Sequence, residues 1–238
     1  MSRVVILKTG STYPAIASTF GDFEDWFVAG LAPELDPTVI DVSREPPPGD
    51  VGDWDGILVT GSPAMVTEQA PWSERTAAWL ALAVDQQVPV LGVCYGHQLL
   101  AHALGGRVGD HPNGRESGTF EVRLNSHAVN DALLGTLPPA FPAQLTHLQS
   151  VLELPASATL LAYSDHEPHQ AYRVGECAWG VQFHPEFTAP IMRAYLEVQT
   201  PALRKERLDA QALIDGVQDT PIASSLLRRF SDLVLARN

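Results

Sequence analysis

Residues 89–106 read PVLGVCYGHQLLAHALGG. The apolar run at 90–93 has the length and composition of a short strand buried on both faces. It leads through Gly92, Val93, Cys94, Tyr95 and Gly96 into a helical pattern over 97–104, closed by Gly105 and Gly106. Small residues on either side of Cys94 permit the sharp strand-to-helix turn of a nucleophile elbow, here presenting a thiol in place of a serine hydroxyl. At a helix N-terminus, backbone N–H groups without intrahelical partners and the helix dipole favour an anionic sulfur. A buried cysteine packed as a small hydrophobe is the competing reading of the same residue.

Working back towards the N-terminus, strands and helices alternate. Residues 4–7 (VVIL), 39–42 and 57–59 read as short buried strands. Between the first two, residues 20–31 carry Phe23, Phe27 and Leu31 at four-residue spacing behind Asp22, a fit N-cap. Pro46, Pro47, Pro48 and Gly49 mark a loop, and the third strand opens into Thr60, Gly61, Ser62 and Pro63. Residues 71–87 place Thr76, Trp79, Leu80, Ala83 and Val84 on one helical face. This alternation predicts a doubly wound, mostly parallel α/β sheet with helices on both faces and right-handed crossovers. Ligands of such sheets bind at the carboxyl ends of strands, where both Gly61 and Cys94 fall.

Beyond Gly114 the period becomes two: Phe120, Val122 and Leu124 alternate with Glu121 and Arg123, and 160–162 and 171–174 read similarly. Trp179, Gly180, Val181, Gln182 and Phe183 lead into His184, Pro185 and Glu186, and Thr188 is placed to cap a helix with Pro190 in its first turn. Leu203, Leu208, Ala212 and Leu213 suggest one further helix. Thr220 and Pro221 start another, with a stripe of Ala223, Leu226, Leu227, Phe230, Leu233 and Val234 fitted to dock on the core.

The 238 residues suffice for a sizeable core, and 45% hydrophobic against 18% charged residues is a globular composition. A formal net charge of -13 argues against a nucleic-acid partner or an anionic membrane surface. The N-terminal apolar run is too short for a signal sequence, and no run reaches membrane-spanning length. The expectation is a cytoplasmic protein whose two cysteines, Cys94 and Cys177, stay unpaired, Cys177 being structural.

A thiolate attacking a carboxamide needs a proton carrier, a group that orients it and donors for the oxyanion. His184 and Glu186 fit the first two roles: on an extended segment, residues two apart point to the same side. Taken singly, the histidine reads as an ordinary polar residue and the glutamate as a helix-start acid. Gly61 allows close approach of its N–H, which with that of Tyr95 makes a two-donor oxyanion site; an ordinary turn glycine is the alternative. His97 and His102 are off the spacing that puts two ligands on one helix face, so no metal site is expected. His166 and His169, flanking Glu167 and Pro168, read as a surface loop.

GVCYGHQ at 92–98 together with VQFHPEF at 181–187 resembles the class I glutamine amidotransferases. TGSP at 60–63, the Trp72 helix, LGG at 104–106 and NGRESG at 113–118 extend the resemblance, in order, over residues 1–200. The resemblance implies a flavodoxin-like domain there, with 201–238 a helical extension packed on it. It also implies that Cys94 is the nucleophile forming a glutamyl thioester, that His184 carries the proton oriented by Glu186, and that Gly61 and Tyr95 supply oxyanion N–H groups. Gln98 matches a position contacting substrate glutamine. Thr146, His147, Leu148 and Gln149 stand where relatives often carry Ser-His-Gly-Asp and bind the amino-acid end of the substrate. Leu148 and Gln149 depart from that pattern: the lost carboxylate removes a partner for an α-ammonium.

Three functions follow as expectations. The first is a GMP-synthase-like glutaminase, needing no cofactor, that passes ammonia to a separate synthetase, since no glycine-rich phosphate loop is present in the chain. The second is a hydrolase of γ-glutamyl peptides or conjugates. The third is a binding or regulatory protein on the same fold. The sequence leaves monomer and homodimer open.

Overall fold

Four strands of this chain are short and almost wholly apolar because helices cover both of their faces. The computed structural model describes residues 2–237. In chain order the main elements are β1 (Val4–Lys8), α1 (Pro14–Phe20), α2 (Phe23–Gly30), β2 (Thr38–Asp41), β3 (Gly56–Val59), α3 (Pro71–Asp85), β4 (Val90–Val93) and α4 (Tyr95–Ala103). There follow β5 (Arg107–Asp110), β6 (Glu116–Leu124), β7 (Ala140–His147), β8 (Gln149–Glu153), β9 (Ala158–Tyr163), β10 (Ala171–Val174) and β11 (Ala178–Val181). Three helices end the chain: α5 (Ala189–Lys205), α6 (Ala210–Asp215) and α7 (Pro221–Ala236).

Among the described residues, nine strands form one mixed sheet in the order β2-β1-β3-β4-β11-β10-β9-β6-β7, and β5 pairs with β8 in a separate ribbon. The half from β2 to β11 is parallel, with β4 at its centre pairing β3 on one side and β11 on the other. From β11 onwards every pairing is antiparallel. One face packs on α2 and α7, the other on α3 and α4, as Phe27, Leu227 and Phe230 belong to one core cluster and Leu80, Tyr95 and Leu99 to another.

Asp22 caps α2 in a reciprocal capping box with Asp25, as its position before the apolar periodicity predicts. Asp22 also accepts from the Thr12 N–H at 2.8 Å and from Lys8 Nζ at 2.8 Å, so one carboxylate ties the end of β1 to the start of α2. The helix expected within 20–31 is α2, and a further helix precedes it: α1, ended by Gly21 at φ 82°. The single helix expected from Leu203 to Leu213 is broken. α5 stops at Lys205, Arg207 turns at φ 63°, and Asp209 caps α6 by accepting from the Ala212 N–H.

α7 is as anticipated in span and stripe. Its Leu226, Leu227 and Phe230 are fully buried, each worth about 1.5–3 kcal/mol of burial. Thr220 stands at its N-cap position without making a side-chain capping bond. Cys94 and Cys177 are both free, and the Cys177 thiol donates to the Gln87 carbonyl in the core. No helix among the described residues is long and apolar enough to cross a membrane.

Candidate active site

A single residue, Cys94, separates β4 from α4. Cys94 adopts φ 52° and ψ -102°, a conformation costly for a residue with a Cβ. Gly92 and Gly96 make it feasible: a Cβ on Gly92 would stand 2.4 Å from the Gly96 carbonyl oxygen, and one on Gly96 would stand 2.5 Å from that of Val59. The Cys94 N–H donates to the Val181 carbonyl at 2.9 Å, and its own carbonyl accepts the first helical bond of α4 from Gln98. The thiol therefore sits at the helix N-terminus, as the elbow pattern predicts.

Strand register then brings His184 to it. β4 and β11 run parallel with Val93 opposite Val181, so both leave the sheet at the same level. The chain past β11 has three residues in which to deliver the imidazole beside the elbow. An added Cβ on Gly61, at the end of the neighbouring β3, would lie 3.1 Å from His184 Cε1 and 3.8 Å from Cys94 Cβ. Gly61, Cys94 and His184 thus meet at the carboxyl edge of three adjacent parallel strands.

His184 Nδ1 faces Glu186 Oε1 at 2.7 Å, in the geometry of an N–H donating to a carboxylate. The pairing arises differently from the extended segment expected. Residues 184–187 form a turn closed by the Phe187 N–H donating to the His184 carbonyl at 3.3 Å, and that turn folds the two side chains together. The Phe187 ring stacks on the imidazole at 4.2 Å between centroids, fixing its plane. Both partners are buried. Burial favours the neutral imidazole, but the Glu186 carboxylate and the Cys94 sulfur outweigh it and raise the His184 pKa to about 10. Nε2 has no hydrogen-bond partner among the described residues. The Cys94 sulfur is near enough to stabilise the imidazolium.

A cavity of about 350 Å³ opens over these groups. Tyr95, Gln98 and residues 146–149 line it. Cys94 Sγ lies 3.9 Å from the Thr146 carbonyl oxygen. Tyr95 is the first residue of α4, so its N–H has no partner within the helix. Gln98 spends its amide on the scaffold: Nε2 donates to the Gln149 carbonyl at 2.7 Å and to Gln182 Oε1 at 2.9 Å. The His147 ring is engaged at both nitrogens, by the Gln149 carbonyl at 3.0 Å and by Glu116 Oε2 at 2.9 Å.

Four lining residues carry no sequence signal that sets them apart. Thr12 and Tyr195 join their hydroxyls at 2.5 Å across the cavity wall, and Gln199 and Arg115 approach from α5 and from the turn before β6. Arg115 lies within NGRESG, but only the register of β6 against β7 brings it to the cavity. The loop expected to be superficial is not wholly so. His166 and His169 are half-buried, and Glu167 between them is fully buried, bonded through Oε1 to the His169 N–H.

An elbow cysteine beside a carboxylate-held imidazole, at the carboxyl edge of a doubly wound sheet, places the chain among α/β proteins of nucleophile-elbow architecture. More narrowly, the chain belongs to the glutamine amidotransferase class-I family, whose model matches residues 32–197. It is 32% identical to gamma-glutamyl peptidase 5 of Arabidopsis thaliana over 186 residues, which are 77% of this chain and 70% of that protein. It is 37% identical over 131 residues to the glutamine-hydrolysing GMP synthase of Aeropyrum pernix, covering 55% of this chain and 24% of that one. Its fold is shared by a glutamine amidotransferase from Thermotoga maritima, with a TM-score of 0.76 at 23% identity over 98% of each chain.

Proposed function

We propose that the chain hydrolyses γ-glutamyl amide bonds through a thioester on Cys94, with γ-glutamyl peptides or conjugates as substrates. The observation that carries the chemistry is the meeting of Cys94, His184 and Glu186 at one edge of the sheet. In the first step the sulfur bonds to the γ-carbonyl carbon, and the oxyanion is held by the Gly61 and Tyr95 N–H groups. The C–N bond then breaks, and the leaving amine takes its proton from His184 Nε2, which faces the elbow. Glu186 holds Nδ1–H and so fixes which nitrogen delivers the proton. In the second step His184 takes a proton from water, hydroxide adds to the thioester carbon, and glutamate departs as the thiolate is restored.

One further observation supports a peptide or conjugate over free glutamine: the likeness to the plant γ-glutamyl peptidase extends over most of both chains. The likeness to GMP synthase favours a second reading, glutamine hydrolysis with ammonia passed to a synthetase partner. Incubating the protein with glutamine and a panel of γ-glutamyl dipeptides, then quantifying glutamate, ammonia and free amino acid, separates them. Amino acid release without matching ammonia supports the first, and ammonia from glutamine alone supports the second. A folded sample that forms no Cys94 adduct with a glutamine-like diazoketone, read by intact mass, identifies a non-catalytic binding protein.

A further inference from the structure

The cavity over Cys94 has an uneven charge lining. Among its described lining residues there is no aspartate or glutamate, and the one lysine or arginine is Arg115. Both histidines there are already engaged, His184 by Glu186 and His147 by Glu116 and the Gln149 carbonyl. Arg115 is held as well, but from one side. Its Nε donates to Glu206 Oε2 at 2.9 Å and its Nη2 to Glu206 Oε1 at 3.2 Å, and neither bond uses Nη1. The arginine side chain is 12% exposed and the glutamate 35%. The guanidinium is therefore fixed in orientation, largely shielded from water and open to a ligand at one nitrogen.

Its surroundings suit an anion. β6 pairs Glu116 with His147 and Ser117 with Thr146, which carries Arg115, one residue earlier, to the Leu148 end of the substrate-side segment. Thr146 and Gln199 line the same wall, their side chains oriented by a bond from Gln199 Nε2 to Thr146 Oγ1 at 3.0 Å. Gln149 adds a neutral acceptor: its Nε2 is committed to Thr67 and Asp110, while its buried Oε1 has no partner among the described residues. We infer that Arg115 is the specificity-determining residue of this cavity and reads a carboxylate of the substrate. An accompanying ammonium meets only a neutral carbonyl. The inference rests on the γ-glutamyl reading above and adds to it the feature by which substrates are chosen.

Two carboxylates are candidates, the α-carboxylate of the γ-glutamyl unit and that of the departing amino acid. The test compares wild type, Arg115→Met and Arg115→Lys on γ-glutamylglycine, on its C-terminal amide, and on the α-amide of its glutamyl unit. Arg115→Met is expected to raise KM about tenfold or more for the carboxylate that is read. It should leave kcat within about threefold and erase the wild type's preference for that carboxylate over its amide, and the lysine variant should recover part of it. The amide to which Arg115→Met is indifferent identifies which carboxylate is bound. Calorimetric titration of glutamate and γ-glutamylglycine into Cys94→Ala, with and without Arg115→Met, reads binding independently of turnover. A tenfold loss there upholds the inference even when wild type hydrolyses none of the peptides. A folded Arg115→Met protein with unchanged KM ratios and unchanged binding overturns it, as does a wild type that binds the amides as tightly as the acids.

Discussion

The parallel half of the sheet and its antiparallel half differ in what they hide. β1, β3 and β4 are buried along almost every residue, whereas in the second half of β6 only Val122 is buried. The parallel strands all deliver their ends to one edge, and that edge holds Gly61, Cys94 and His184. The antiparallel strands fold back to the same edge and present Arg115 and the 146–149 segment. On the proposed function, the reacting groups stand on the two-sided interior, while the groups proposed to recognise the substrate stand on strands with a more open outer face. Gln98 spans the division, rooted in α4 and bonded to the Gln149 carbonyl.

The largest break expected lies on the parallel side. Cys94→Ser should cut hydrolysis by about 10⁴-fold or more while shifting the thermal midpoint by only a few degrees, since the change is nearly isosteric. A collapse of folding instead would return Cys94 to the status of a packing residue. Glu186→Gln should lower kcat by about 10²–10⁴-fold, and it should move the His184 titration, followed by NMR, to lower pH because the carboxylate that raises it is gone.

The same pair links pH to stability. With its folded pKa raised to about 10 from an unfolded value of about 6.5, His184 contributes stability that is fully present below the unfolded value. That contribution is lost as pH rises through the folded one. Denaturant unfolding should show wild type losing stability across this window, with His184→Ala flatter over the same range.

Cutting the tie between the halves should have a smaller effect. Gln98→Leu leaves Gln182 Oε1 without its donor and the Gln149 carbonyl with His147 alone, which costs about 1–3 kcal/mol, and should raise KM more than it lowers kcat. The smallest effect is expected at Asp22, whose carboxyl is held below the ordinary value. Burial opposes this, but the Lys8 ammonium and the Thr12 and Phe23 N–H groups prevail. A depressed folded pKa contributes stability above the unfolded value and loses it as pH falls through the folded one. Asp22→Asn should therefore be less stable than wild type at neutral pH and converge with it in acid.

The two halves also differ in how far their sequence can be read. Continuous apolar runs such as VVIL at 4–7 announce buried parallel strands, and the spacing around Cys94 announces the elbow, because both depend on local residue size and polarity. The pairing of His184 with Glu186 was legible as a pair, though not as a turn, since both backbone shapes can bring side chains two apart together. β5, β7 and β8 lack a clean alternation: β7 carries Pro142 and Gln144 among its apolar residues. Arg115 was legible only as part of a motif, because its place at the cavity depends on which strand β6 pairs with and on Glu206, ninety-one residues further along.

The left-handed backbone at Cys94 restricts which atoms evolution or an engineer can install there. A side chain branched at its β-carbon fits that φ poorly, so threonine is barred as a substitute even though it carries a hydroxyl. Any exchange of the attacking atom must run through unbranched serine, whose hydroxyl proton only a neutral imidazole could take, without the help a sulfur gives by ionising readily. The main chain at position 94 thereby admits cysteine or serine and excludes the branched threonine.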